Sequence, residues 1–346
     1  MRALVLRRAC ELIVRDDVPD PRPGFGQVLA QVKACGICGS DLHFVQHAAT
    51  MLGLLADMEG LPDFGAPPLD LGRDVFMGHE FAAEVLEAGP DTVAPPAGTV
   101  VTSVPIMLTP TGLRDIVYTN DLPAGYGERI LLSAPLVQVV PNGLDPRHAA
   151  LAEPMAVGRH AVDRSGIDAG EGALVLGCGP VGLAVIAALG LCRAEPIVAA
   201  DPSPTRRALA TVMGAHEAVD PSVEPAFDAW KRAGCGGPPV IFEAIGVPGI
   251  IDGALRSAPA QSRIVVVGVC MQPDTVTPFF GISKELSLQF VLGYDPMEFE
   301  ASLRSIAEGE IDVAPLVTGE VGLDGVPGAF RELADPDRHC KVLVVP

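Results

Sequence analysis

Basic residues are in short supply. The 346-residue chain carries 24 Lys and Arg against 43 Asp and Glu, a formal net charge of −19. A surface of that sign repels phosphate backbones and anionic bilayers, which excludes nucleic acid and membrane as main partners. An unbroken apolar stretch of the ~20 residues that a spanning helix needs is also lacking. Thr92–Leu113 is cut by Pro95, Pro96, Pro105 and Pro110, and Gly172–Cys192 by Gly177, Gly179, Pro180 and Gly182. The opening MRALVLRRACELIVRDD has Arg7, Arg8, Glu11 and Arg15 where a secretory leader needs an apolar run. Its eight cysteines form no dense framework, so reduced thiols and a cytoplasmic location are expected. What remains is ample for a core: 49% apolar and only 19% charged residues, over a length that suggests two domains. A small-molecule enzyme is the class these absences leave.

The first 140 residues read as β-rich. Val28, Ala30, Val32 and Ala34 alternate with Gln27, Leu29, Gln31 and Lys33, and short apolar runs follow at Phe81–Leu86, Gly98–Val104, Arg129–Ser133 and Leu136–Val140. Between them, His47–Phe76 is an insertion that predicts a short helix, through Met51, Leu54, Leu55 and Met58, and then a loop. Arg147–Ser165 predicts one helix, after which strands and helices alternate. Ala173–Gly177, Ile197–Asp201, Val240–Ala244 and Arg263–Gly268 read as buried parallel strands, with helices at Pro180–Leu191, Pro204–Gly214 and Gly249–Ala258. The expected fold class is α/β, a β-rich domain followed by a doubly wound parallel sheet.

Gly177-Cys178-Gly179-Pro180-Val181-Gly182 is a G-x-G-x-x-G between an apolar strand and an apolar helix, with Asp201 ending the next strand 19 residues on. Such a turn lets a pyrophosphate approach the backbone and meet the amides of a helix N-terminus. Asp201 would accept from the adenosine ribose hydroxyls and repel a 2′-phosphate, favouring NAD over NADP, while Arg206 and Arg207 could receive that phosphate. Elsewhere Cys38, His79, Glu80 and Glu153 offer a thiolate, an imidazole and carboxylates, a mixture suited to catalytic zinc. Taken singly, Cys35 with Cys38 also fits a redox pair, and His79 a core histidine.

Together, GICGSDLH at 36–43, GHE at 78–80, AEP at 152–154, GCGPVGL at 177–183 and Asp201 give the chain its family likeness. In that order it resembles the zinc-dependent medium-chain alcohol and polyol dehydrogenases from end to end. The resemblance implies a GroES-like catalytic domain over 1–152, a Rossmann coenzyme domain over 153–294, and a segment 295–346 that returns to the catalytic domain. It implies Cys38 and His79 as zinc ligands. The third position, cysteine in liver-type alcohol dehydrogenases, is Glu153 here, as in the sorbitol, threonine and butanediol dehydrogenase branch, where Glu80 reaches the metal as well. Ser40 and His43 match a proton relay that runs through the nicotinamide ribose to solvent. The implied chemistry is hydride transfer between a small-molecule alcohol or ketone and NAD, assisted by zinc as Lewis acid, in a homodimer or homotetramer.

Two departures from the family pattern stand out. No cysteine lies between Cys38 and Cys178, so the four-cysteine lobe that holds a structural zinc in many relatives is missing and one catalytic zinc is expected. The insertion separates Cys38 from His79 by more than the family norm. Lining the cleft, its apolar residues would favour bulky secondary alcohols; facing outward, they would form a subunit contact. The alternatives to the main reading are a zinc-free quinone or enone reductase, and a catalytically silent nucleotide-binding relative.

Overall fold

The computed structural model describes residues 1–8, 11–58, 68–110, 112–234 and 237–346. Two lobes share one apolar seam. In the first, strand Gln27–Gly36 is the axis of a seven-stranded sheet. One edge pairs antiparallel with Glu80–Ala88 along its whole length, with register shifts at Leu29/Ala30 and Val32/Ala34. Such bulges bend a strand. The other edge is therefore shared: its first half pairs with Arg129–Ser133, and its end, at Cys35 and Gly36, pairs with Lys341–Val344. The chain's last strand is thus built into its first lobe. A smaller four-stranded sheet, with Ala3–Leu6 and Val75–Met77 at its centre, packs across the same core of Leu4, Val32, Phe44, Phe81 and Tyr126.

The second lobe holds six parallel strands. In chain order they are Ala173–Leu176, Ile197–Ala200, Glu217–Val219, Val240–Glu243, Arg263–Val266 and Ser287–Phe290. Across the sheet they lie in the order 3-2-1-4-5-6, every neighbouring pair parallel. That is the doubly wound dinucleotide-binding arrangement, whose crevice opens beside the carboxyl end of the first strand. The strand-and-helix alternation and the predicted Pro180–Leu191 helix are reproduced.

Two expectations need correction. Residues 147–165 form two helices, Pro146–Ala149 and Ala152–Ser165. Pro154 has no N–H for the carbonyl of Ala150, so a single helix cannot run through, and the second starts where a proline is tolerated in its first turn. The insertion does not begin its own helix either. Gly39–Ala56 is one helix that starts beside Cys38 and bends at His47 (φ −134°, ψ 23°). Met51 packs on the first lobe's core, Leu54, Leu55 and Met58 are exposed, and residues 59–67 lie outside the described residues.

The helix Ala152–Ser165 packs between the lobes. One continuous cluster runs from Ala34, Ala82 and Leu343 of the first lobe through Met155 and Ala156 to Val175 and Leu183 of the second. Among the described residues no helix is long and apolar enough to cross a membrane.

Candidate active site

Strand register assembles the site. Gly36 lies opposite Glu80 on one side and Leu343 on the other, which puts Cys38, Glu80 and Lys341 at one end of three adjacent strands. His79 follows the turn at Gly78 (φ +101°) and precedes Glu80. Donor atoms of Cys38, His79 and Glu80 all lie within 4.8 Å of one another. Glu153 stands outside that triplet, in the first turn of Ala152–Ser165, where the helix dipole favours a carboxylate. It is buried, and its charge acts on both His79 and Glu80.

The two carboxylates differ in what already neutralises them. Lys341 Nζ donates to Glu80 Oε1 and Oε2 at 2.7 Å each and to the Ile37 carbonyl at 3.1 Å. Glu80 and Lys341 are 0% and 2% exposed, so this is a true interior ion pair. It leaves no room for a side chain at residue 36, since a Cβ there would stand 1.9 Å from Glu80 Oε2. Glu153 makes no such ion pair, although the Lys341 charge acts on it from Glu80's side. Burial pushes its carboxyl up to about 7, an acid short of positive charge.

His79 reports the same shortage. Burial alone would lower its pKa, but the charge of Asp41, helped by Cys38 and Glu153, raises it well above the ordinary value. Asp41 is fully buried, and its Oδ2 accepts from Tyr126 Oη at 2.6 Å and from the Cys38 amide at 3.1 Å. Its Oδ1 has no hydrogen bond and lies 3.6 Å from the equally unsatisfied His79 Nδ1. A carboxylate facing one ring nitrogen leaves the other for a metal, the usual outer support of a ligating histidine. Thiol, imidazole and carboxylates around an unmet need for positive charge fit zinc.

Around this centre, Ser40 Oγ accepts from Tyr118 Oη at 3.4 Å, and His43 lies one turn further along the same helix, at the exposed rim. Partial burial, with His47 beside it, pulls the His43 pKa below its ordinary value. On the second lobe Gly177 (φ +92°) ends the first parallel strand, Gly179 caps the helix and Pro180 opens it. A Cβ on Gly182 would stand 1.9 Å from the Gly177 carbonyl, so only glycine closes this turn. Asp201 accepts from the Cys178 and Ser203 amides at 2.8 Å each, which leaves lone pairs for a sugar. Arg207 is committed to the Asp201 and Pro202 carbonyls and to Asp220. Arg206 is not: its Nε is buried without a partner, and its Nη1 lies 4.0 Å from where a Gly179 Cβ would be. Val181 follows in the first turn of that helix.

The sequence-derived residues therefore fall into two groups: Cys38, His79 and Glu80 together, with Glu153 nearby and with Ser40 and His43 on the helix that starts beside Cys38, and the Gly177–Gly182 turn with Asp201 and Arg206. Sequence reasoning passed over Asp41, Tyr118, Tyr126, Tyr294 and Lys341. Only Asp41 had a visible signal, an acid three residues after the helix cap.

Comparison with known proteins gives the family. Residues 24–131 match the alcohol dehydrogenase GroES-like domain and residues 180–308 the zinc-binding dehydrogenase family. The (R,R)-butanediol dehydrogenase of Bacillus subtilis (strain 168) is 32% identical over 343 residues, 96% of each chain. A crystal structure of 2R,3R-butanediol dehydrogenase from Bacillus subtilis superposes with a TM-score of 0.83 at 30% identity, covering 100% of this chain and 99% of that one. A zinc-binding dehydrogenase of Sinorhizobium meliloti 1021, solved with NADP, gives 0.81 at 28% identity, covering 100% and 99%. The chain belongs to the zinc-dependent medium-chain alcohol and polyol dehydrogenases. It is an oxidoreductase of alcohols or polyols.

The Glu80–Lys341 pair yields a direct prediction. Lys341→Met strands a buried carboxylate and should lower the unfolding free energy by about 3–5 kcal/mol. Adding Glu80→Leu removes the stranded charge and should recover part of that loss. Urea unfolding of the two variants measures it, and a double variant no better than the single one would contradict the pairing.

Proposed function

We propose that the protein is an NAD-linked dehydrogenase with one catalytic zinc that interconverts a secondary alcohol or polyol and the matching ketone. The observation that carries the reading is the cluster of Cys38, His79 and Glu80 donor atoms within 4.8 Å of one another, with buried Glu153 nearby and His79 Nδ1 facing the unsatisfied Asp41 Oδ1. Cys38, His79 and Glu153 would hold the metal. Glu80, already neutralised by Lys341, borders the site and balances its charge. When bound, zinc supplies the Lewis acidity that lowers the pKa of the alcohol hydroxyl.

The chain's own groups do the rest. Asp41 holds the His79 ring in one orientation. Ser40 takes the departing proton through its hydroxyl, and His43, neutral at pH 7 because its pKa is lowered, accepts it at the rim and releases it to water. The amides at the start of Pro180–Leu191 receive the coenzyme pyrophosphate, and Asp201 takes the adenosine ribose. The Asp201 charge disfavours a 2′-phosphate, and only Arg206 opposes it, since Arg207 is spent on structure.

Among the described residues one edge of the six-stranded sheet has no neighbouring strand. Ser287–Phe290 ends the six-stranded sheet, with Ile282, Phe290, Leu292 and Met297 exposed on and beside it. Unpaired apolar edges of this kind are covered in stable proteins, and here a second copy of the chain would cover it in a homodimer or a larger homo-oligomer. Light scattering should give at least twice the 35.9 kDa chain mass. Phe290→Lys should shift it towards one chain, and a wild type that is monomeric at micromolar concentration would refute the assignment.

A panel of alcohols and ketones assayed with NAD and NADP tests the function. The expected result is turnover of secondary alcohols, higher kcat/KM with NAD, one zinc per chain, and loss of turnover on chelation. Asp201→Ser should narrow the gap between coenzymes. Two zincs per chain, full activity without metal, or a wild type that prefers NADP would each contradict the reading.

A further inference from the structure

A further buried acid lies away from the metal cluster. Glu243 ends the fourth parallel strand, Val240–Glu243, with 1% of its surface exposed. Its Oε1 accepts from the amides of Ile245 and Gly246 at 2.8 Å each. Among the described residues no charged side chain shifts its pKa: burial pushes it up, and the amides of Gly246 and Ile245 pull it down. Two amides aimed at one oxygen favour the charged form. A buried carboxylate without a cation is costly, and a cationic ligand nearby offsets that cost.

The surroundings of Glu243 are those of the coenzyme crevice. In the parallel register it lies opposite Leu176, the last residue of the first strand, and the glycine turn begins at the next residue. A Cβ on Gly177 would stand 2.8 Å from Ile245 Cγ1 and 3.0 Å from the Ala244 carbonyl oxygen. One on Gly268 would meet both the Gly246 amide and, at 2.9 Å, Glu243 Oε2. Residues 244–246 thus form a ledge against the glycine turn, with the carboxylate tied behind it. Ile245, Val247 and Val269 are exposed there, an apolar surface suited to a flat ring. A dinucleotide spans the crevice between the first and fourth strands. Asp201, after the second strand, takes the adenosine half in the function proposed above, so the nicotinamide half falls over the fourth and fifth.

The oxidised nicotinamide ring is a cation, and the electron pair that arrives with the hydride makes it neutral. We propose that Glu243 is a specificity-determining residue for the oxidation state of the coenzyme, its charge holding cationic NAD+ more tightly than neutral NADH. Desolvation strengthens such a field, because little water stands between the carboxylate and the ledge. The bias favours loading of the oxidised coenzyme and release of the reduced one, the direction of alcohol oxidation.

This inference rests on the dehydrogenase reading, and calorimetric titration separates the two. NAD+ and NADH are titrated into the zinc-loaded wild type and Glu243→Gln, with NADP+ and NADPH alongside. Glu243→Gln keeps the shape and the oxygen that accepts from Ile245 and Gly246 but removes the charge. Its Kd for the oxidised coenzyme should rise about 3- to 10-fold and that for the reduced one less than about twofold. Glu243→Asp, which keeps the charge, should retain more of the preference than Glu243→Gln does. The wild type alone gives a second check, with a dinucleotide that carries an uncharged benzamide in place of the pyridinium. It should bind this analogue more weakly than NAD+. Equal changes in both Kd values, an unchanged ratio in Glu243→Gln, or a wild type that binds the analogue as tightly as NAD+ would overturn the assignment. A wild type that binds none of the four coenzymes would overturn the dehydrogenase reading itself.

Discussion

Four acidic side chains meet around one imidazole, and the structure depends on how their charge is balanced. Asp41, Glu80 and Glu153 are buried, and the Cys38 thiol adjoins them. Each buried carboxylate costs several kcal/mol unless something positive or hydrogen-donating meets it. Asp41 has Tyr126 and a backbone amide, and Glu80 has Lys341. Glu153 and His79 belong to neither of these pairs: His79 is surrounded by the charges of Asp41, Cys38 and Glu153, and burial leaves the Glu153 carboxyl raised to about 7. The arrangement is specific because its parts come from distant stretches of chain. Lys341 reaches Glu80 only if the last strand joins the first sheet in this register, and Gly36 is needed where the two meet.

Catalysis asks for a second constraint, that the metal cluster and the coenzyme cradle keep a fixed relation. Hydride transfer is sensitive to displacements of about 1 Å. Helix Ala152–Ser165 carries Glu153 at its first turn and packs along Pro180–Leu191, whose first turn is the phosphate cradle. The helix after Tyr294 packs on the same element. One helix thus links Glu153, the glycine turn before Pro180–Leu191 and the helix Pro296–Ala307, and the apolar seam through Met155 and Leu183 holds the lobes together around it.

Much of this was legible in the sequence, for physical reasons. Local patterns report local structure. The alternation through Val28 to Ala34 and the glycines at 177, 179 and 182 announce a strand and a phosphate turn, because only neighbouring residues decide them. The break before Pro154 was equally local, but the apolar content of 147–165 masked it. What stayed hidden depends on contacts between distant residues. Nothing near Lys341 shows that it will meet Glu80, 261 positions away. Arg206 and Arg207 are adjacent and chemically alike. Only the fold shows that one is bound to carbonyls and Asp220 while the other is left beside the cradle.

Lys341 pairs with Glu80, and in the function proposed above Glu80 therefore stays a charge-balancing neighbour while Glu153 joins Cys38 and His79 on the metal. A crystal structure of the zinc-loaded protein tests it most directly. The expected result is zinc on Cys38 Sγ, a His79 ring nitrogen and a Glu153 oxygen, with Asp41 bonded to the other His79 nitrogen and Glu80 still paired to Lys341. Zinc held by Glu80, with Lys341 released and Glu153 free of the metal, would contradict it.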